Sequence, residues 1–310
     1  MRKGFVLGAL VLLLVAGCGR LEAPVQVGDE DLVAADLLLD DAALEAAGLG
    51  GAAVGLEAEA GPLSDWPGPA RRLLKRFFEA HGDGVPADLP GCVEVTPGQD
   101  ADGDGVVAGF KAVFDCERTL PSGNHYGFHG TLTFDDADDQ DAQNQGYALD
   151  FANFEARFDG AGRNGEAVSL VRTFDGVIEV TPTLNNDQLV QLVIRKNLDF
   201  SFTRSVGERS ATRSTHVERE SVYTPDDPIA PYVAGELNLS GRFDHQGPGG
   251  AVSVVLTTDR ALHFNRACTV SPRFDDGIIT LSRYRNGHLE QVKMLTFVDC
   301  GHFVVEVERR

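Results

Sequence analysis

The chain has 310 residues, with 47 acidic side chains against 27 Lys and Arg, and a formal net charge of −20 at neutral pH. So acidic a surface repels phosphate backbones and anionic headgroups, which excludes nucleic-acid binding and a polybasic membrane contact. After the first segment, no apolar run approaches the length of about 20 residues that a transmembrane helix needs.

The first element is an export signal. MRK supplies a positive n-region, and GFVLGALVLLLVAG supplies an apolar stretch too short to span a bilayer comfortably. A cysteine follows directly, and Val15-Ala16-Gly17-Cys18 resembles the lipobox of bacterial lipoproteins. The resemblance implies that residues 1–17 are removed and that Cys18 carries acyl chains, palmitate among them. Two or more chains on one residue give stable attachment, so the membrane is the partner expected through this N-terminal lipid. Gly19 is not the Asp that retains many proteobacterial lipoproteins in the inner membrane, so the resemblance implies the outer membrane. Loss of Arg2 and Lys3 leaves 25 basic against 47 acidic residues, a mature charge near −22.

Residues 18–65 read as an acidic tether. From residue 19 they hold eleven acids and, after Arg20, no base. Such a self-repelling stretch is expected to lift the folded domain off the membrane. Leu32, Ala35, Leu39, Ala42 and Ala43 also fit a short helix face that would dock on the domain or a partner. The single domain is expected to run over 66–310. It begins with a helix over 69–81, where Leu73, Leu74, Phe77 and Phe78 form one apolar stripe. Basic Arg71, Arg72, Lys75 and Arg76 flank that stripe, solvated or paired with local acids.

From residue 90 the apolar period changes from helical to two. HYGFHGTLTF, YALDFANFEARF, AVSLVRTF, GVIEVT, LDFSFTR, THVERESVY, ELNLSGRF, AVSVVLTT, IITLSRYR, HLEQVKMLTFV and HFVVEVE read as about eleven strands. FDG, GPGG, DDG and RNG between them carry hairpin-turn chemistry. The pattern predicts a mainly β fold, an antiparallel meander forming a curved sheet, open barrel or sandwich.

With Cys18 lipidated, Cys92, Cys116, Cys268 and Cys300 remain, an even number with three pairings. CVEVTP and VFDC around the first two mirror CTVSP and FVDC around the last two, which favours Cys92–Cys116 and Cys268–Cys300. The first pair is symmetric about Asp104, so a hairpin turning there sets its cysteines opposite each other. Between the second pair FDDG and RNG mark two turns.

Asp100, Asp102 and Asp104 with Gly105 fit the opening D-x-D-x-D-G of oxygen-ligand calcium loops. Over these six residues the stretch resembles an EF-hand or thrombospondin type-3 loop. It then departs from both: Lys111 stands where the EF-hand has its bidentate Glu, and Ala108 where the thrombospondin-type loop has Asp. A structural calcium and a plain Asp-Gly turn are the two readings. A second acidic run, DDADDQD at 135–141, would supply further ligands or form a solvated loop. His125 and His129, four apart on a strand, lie about 13 Å apart along it, too far to share a metal. The chain lacks G-x-S-x-G, S-x-x-K, a phosphate loop and a dinucleotide fingerprint. The expectation is a non-catalytic structural or interaction role in the cell envelope, with no cofactor besides structural calcium. The alternative is a carrier or chaperone of an apolar ligand, an acyl chain cupped in a curved sheet against the 69–81 helix.

Overall fold

The computed structural model describes residues 91–309 except 105, 120–121, 142–145, 162–164, 187 and 271. The signal, the acidic tether and the 69–81 helix lie outside the described residues. What is described is one antiparallel meander of twelve strands in strictly sequential order, curved and unclosed. They are β1 (Val93–Thr96), β2 (Phe110–Thr119), β3 (His125–Asp136), β4 (Tyr147–Ala161), β5 (Ala167–Asn185) and β6 (Gln188–Val206). The second half is β7 (Arg209–Pro225), β8 (Ala234–Gly247), β9 (Gly250–Asn265), β10 (Phe274–Arg285), β11 (His288–Asp299) and β12 (His302–Arg309).

Alternation sorts the strands into an inward and an outward face. Leu192, Ile194 and Leu198 on β6 are at most 1% exposed, as are Leu256 and Leu262 on β9. Phe110, Phe134, Tyr223, Phe264, Phe274 and Phe297 are fully buried, each contributing about 1.5–3 kcal/mol. Rings make two ladders along this face. Phe114, Phe154, Phe174 and Phe200 step across β2–β6 at 4.9–6.5 Å between centroids, and Tyr223, Phe264, Phe274 and Phe297 cross β7–β11 at 5.9–6.2 Å.

Two of the expected turns are bends inside long strands. FDG at 174–176 lies within the 19-residue β5, and DDG at 275–277 lies within β10. Gly176 has φ 124°, and a Cβ there would stand 2.1 Å from the Asn197 carbonyl oxygen, so only glycine admits this approach of β6. Opposite it, the β4–β5 register slips between Phe151 and Phe154, with Asn153 at φ 55°. The Asp175 carboxylate accepts from the Asn153 amide and fixes the bulge. On the other side, β8–β9 slips between Leu237 and Ser240, where the Thr258 hydroxyl accepts from the Leu239 amide at 2.6 Å. Gly277, at φ 126°, marks the slip between β9 and β10. Bulges bend strands and increase their twist, so this line of defects curves the sheet.

Both disulfides join the expected partners. Cys92–Cys116 ties the start of β1 to β2, and Cys268–Cys300 closes the base of the β10–β11 hairpin. The register Val93 to Phe114 sits one residue off the symmetry about Asp104, which places Cys92 opposite Asp115. The Asp115 amide donates to the Cys92 carbonyl at 3.0 Å.

Candidate functional site

The register Phe110 to Phe134 decides where the acids meet. It sets the β1–β2 loop beside the end of β3, so DADGDG faces DDADDQD. The Ala101 amide donates to Asp139 Oδ1 at 3.0 Å, and the Gly109 amide to Asp135 Oδ1 at 2.6 Å. Within the loop, Gly103 donates to Asp100, Asp104 to Asp102, and Val106 to Asp104, at 2.7–3.1 Å. These amides fix one oxygen of each carboxylate. An isolated bridge, Gln99 to Ala108, closes the neck of the loop.

Asp100, Asp102 and Asp104 bring carboxylate oxygens within 4.8 Å of one another, and so do Asp102, Asp136 and Asp139. Asp102 joins the two groups. The second oxygens of Asp102, Asp104 and Asp136 are sealed from solvent with no hydrogen-bond partner. Burial pushes the Asp104 carboxyl up to about 6; the Val106 amide opposes this, and Asp102, Asp136 and Asp100 add to it. Asp136 is also raised, by burial against its Asp138 amide bond and with the help of Asp102, Asp139 and Asp138. All the donors are hard oxygens, the chemistry of Ca²⁺ or Mg²⁺. The sequence motif named Asp100, Asp102 and Asp104 but lacked closing ligands at Lys111 and Ala108. Asp136 and Asp139 come instead from the next connection, and their only sequence mark was the DDADDQD run.

The histidines behave differently from their backbone spacing. The His125 and His129 imidazoles both reach the Glu117 carboxylate, His129 Nε2 at 2.8 Å, while His129 Nδ1 meets Asp115 at 3.0 Å. Gly127, lying between the two histidines, leaves the space in which Glu117 and His129 meet. A separation of about 13 Å along the strand therefore does not keep the two imidazoles from sharing one carboxylate.

His263 forms a second clasp, donating from Nδ1 to Asp275 at 2.6 Å and from Nε2 to Asp226 at 3.0 Å. Glu236 on β8 and Asp276 on β10 pair across from it, the latter held by Arg260. Burial works against its charge, but the bonds to Asp275 and Asp226 outweigh burial and raise its pKa above 6.5. Stability from this group is full below pH 6.5 and is lost as pH rises through the raised folded value. His263→Gln is expected to flatten the fall of the melting midpoint as pH rises above 6.5. Parallel wild-type and variant curves would rule the clasp out.

A trough of about 790 Å³ crosses β5–β8. Its outward walls are two registered rows, Glu179–Arg195–Glu220–Ser240 and Val177–Asn197–Glu218–Arg242. Arg195 bonds Glu220 at 2.9 Å, and Arg242 bonds Asp244 at 2.8 Å. Both arginines thus bond carboxylates along the sheet, and Lys196 and Arg219 also line the trough.

Comparison of the chain with protein-family models, curated proteins and solved structures finds no match.

Proposed function

We propose that the chain is a lipid-anchored cell-envelope protein with a non-catalytic structural or interaction role, held at the outer membrane through Cys18. The observation that carries the interaction role is the open edge of the sheet. β12 pairs with β11 on one side and, among the described strands, with nothing on the other. Val298, Val304 and Val307 at this edge are 59%, 52% and 50% exposed. An edge of this kind is a template for strand addition by a partner. Glu306 and Glu308 on the same strand disfavour a second copy and favour a partner strand carrying Lys or Arg. The acid corner, loaded with calcium, braces the β1–β2 and β3–β4 loops and performs no chemistry. A carrier role draws support from the curvature alone, since the trough is walled by charged side chains unsuited to an acyl chain.

The test is a photoreactive benzophenone at position 304 in intact cells. One discrete protein adduct is expected, together with release from the membrane fraction on Cys18→Ser. No adduct from position 304 or 298 would overturn the interaction role, and a Cys18→Ser protein that stays membrane-bound would overturn the anchor.

A further inference from the structure

The register gathers arginines where β6 turns into β7. On the inward face one row runs Tyr126, Phe158, Leu170, Arg204, Ala211, and the next runs Ala156, Arg172, Phe202, Arg213. Arg209, opposite Val206, completes the corner. Arg204 stands opposite Ala211, so Arg209 and Arg213 are both its diagonal neighbours, about 7–8 Å away on one face. The Arg172 guanidinium lies 5.3 Å from the centre of the Phe202 ring, on the side away from Arg213 in the row. No carboxylate belongs to either row. Outward arginines are placed differently: Arg157, Arg195, Arg242 and Arg260 each bond an acid. Among the described residues Arg204, Arg209 and Arg213 have no ion pair, with Glu208 of the adjoining turn or with any other acid.

Like charges at this spacing repel, and an anion set among them turns the repulsion into attraction. The guanidinium fork matches phosphate, since it can hold two oxygens at once. Beside the forks the surface is apolar and open. Tyr126 and Phe200 are 42% and 37% exposed, and Phe158, Leu170 and Phe202 are half-buried, whereas Ile194 and Leu198 on the same face are sealed. From Arg204 across Leu170 and Phe158 to Tyr126 the apolar track covers three strand spacings, about 14 Å. A molecule fitting this corner is therefore anionic at one end and apolar at the other. The chain's net charge of −20 repels a long polyanion as a whole. A single phosphate among the arginines feels chiefly the charges within the screening length of about 10 Å.

We propose that this corner of the inward face seats one phosphate-bearing lipid molecule, its phosphate on Arg204, Arg209 and Arg213 and its tail along Leu170, Phe158 and Tyr126. The face is curved, so it takes a single lipid and does not lie flat on a bilayer. The seat is at an open rim and needs no enclosed cavity. It goes beyond the structural or interaction role, and it depends neither on acylation of Cys18 nor on a partner at β12, so its test is separate from theirs.

The experiment is calorimetric titration of the full mature chain, residues 18–310, with Cys18→Ser so that it carries no acyl chain of its own. The probes are dihexanoyl phosphatidate, inorganic phosphate, uncharged dihexanoylglycerol and a single-stranded oligodeoxythymidylate. Phosphatidate is expected to bind once per chain, about tenfold or more tighter than inorganic phosphate or dihexanoylglycerol. Arg204→Gln combined with Arg213→Gln is expected to weaken it about tenfold or more, and Tyr126→Ser about threefold. No binding of phosphatidate, or equal binding by the double arginine variant, would overturn the seat. Inorganic phosphate bound as tightly as phosphatidate would overturn the lipid in favour of a free anion. Dihexanoylglycerol bound as tightly would remove the arginines from recognition, and tighter binding of the oligonucleotide would give the corner to nucleic acid.

Discussion

Calcium at about a hundred times its Kd is expected to stabilise the protein by about 2.7 kcal/mol, roughly 5–10 °C in melting midpoint, and Asp104→Asn to abolish that response. The variant keeps the oxygen that accepts from Val106 at 2.7 Å and removes only the charge. The calcium-free variant is expected to melt higher than calcium-free wild type at pH 7. The reason is the direction of the Asp104 shift, from 3.8 in an ordinary carboxyl to about 6 in the fold. The fold binds this proton more tightly than the unfolded chain does, so ionisation costs stability. That cost is absent below about pH 4, grows between pH 4 and 6, and is complete above pH 6. Its size, discounted for partial exposure, is about 1–2 kcal/mol. Calcium competes with the same proton, so its effect should fade below pH 6. Scanning calorimetry with calcium and with EDTA at pH 5 and 7.5 checks all three outcomes. A wild-type midpoint indifferent to calcium at pH 7.5 would remove the ion from the account.

The second large effect is expected at the disulfides. Removing Cys268–Cys300 as the double Ala variant should cost about 3–4 kcal/mol, from the chain freedom that a 32-residue loop regains in the unfolded state. Cys92–Cys116 spans 24 residues and should cost slightly less by the same argument. Packing widens the difference, because Cys268 is buried while Cys92 is only half-buried. Cys268–Cys300 also holds the 266–273 loop to the β11–β12 turn, where Gly301 donates to the Phe274 carbonyl. Loss of the bond should therefore loosen the base of β10–β11 first. Hydrogen exchange on the two double variants measures this. Equal protection of β10 and β11 with and without Cys268–Cys300 would show that the bridge does not hold the hairpin.

Much of the acid corner was legible in the chain, because three of its carboxylates, Asp100, Asp102 and Asp104, lie within one five-residue window. Asp136 and Asp139 were not assignable, since nothing local says that β2 pairs with β3 in the register Phe110 to Phe134. Glycine was ambiguous for a related reason. FDG at 174–176 has the composition of a hairpin turn, and it is a bend because the Asn197 carbonyl crowds Gly176 from the neighbouring strand. His125 and His129 looked unrelated at strand spacing until Glu117 on the partner strand reached both. The inward cations left a fainter mark. Lys196 falls in phase with Ile194 and Leu198, yet a charged residue is ordinarily solvated, and alternation alone does not overrule that expectation.

The sequence by itself determined the antiparallel meander and favoured both cysteine pairings. A two-residue period, local turn chemistry and mirrored cysteine contexts are short-range properties written within a few dozen residues. The tertiary structure alone decided which glycines bend strands, which acids converge and which cations turn inward. Each of these depends on the residue that the register sets across the ladder, and register is a relation between segments far apart in the chain.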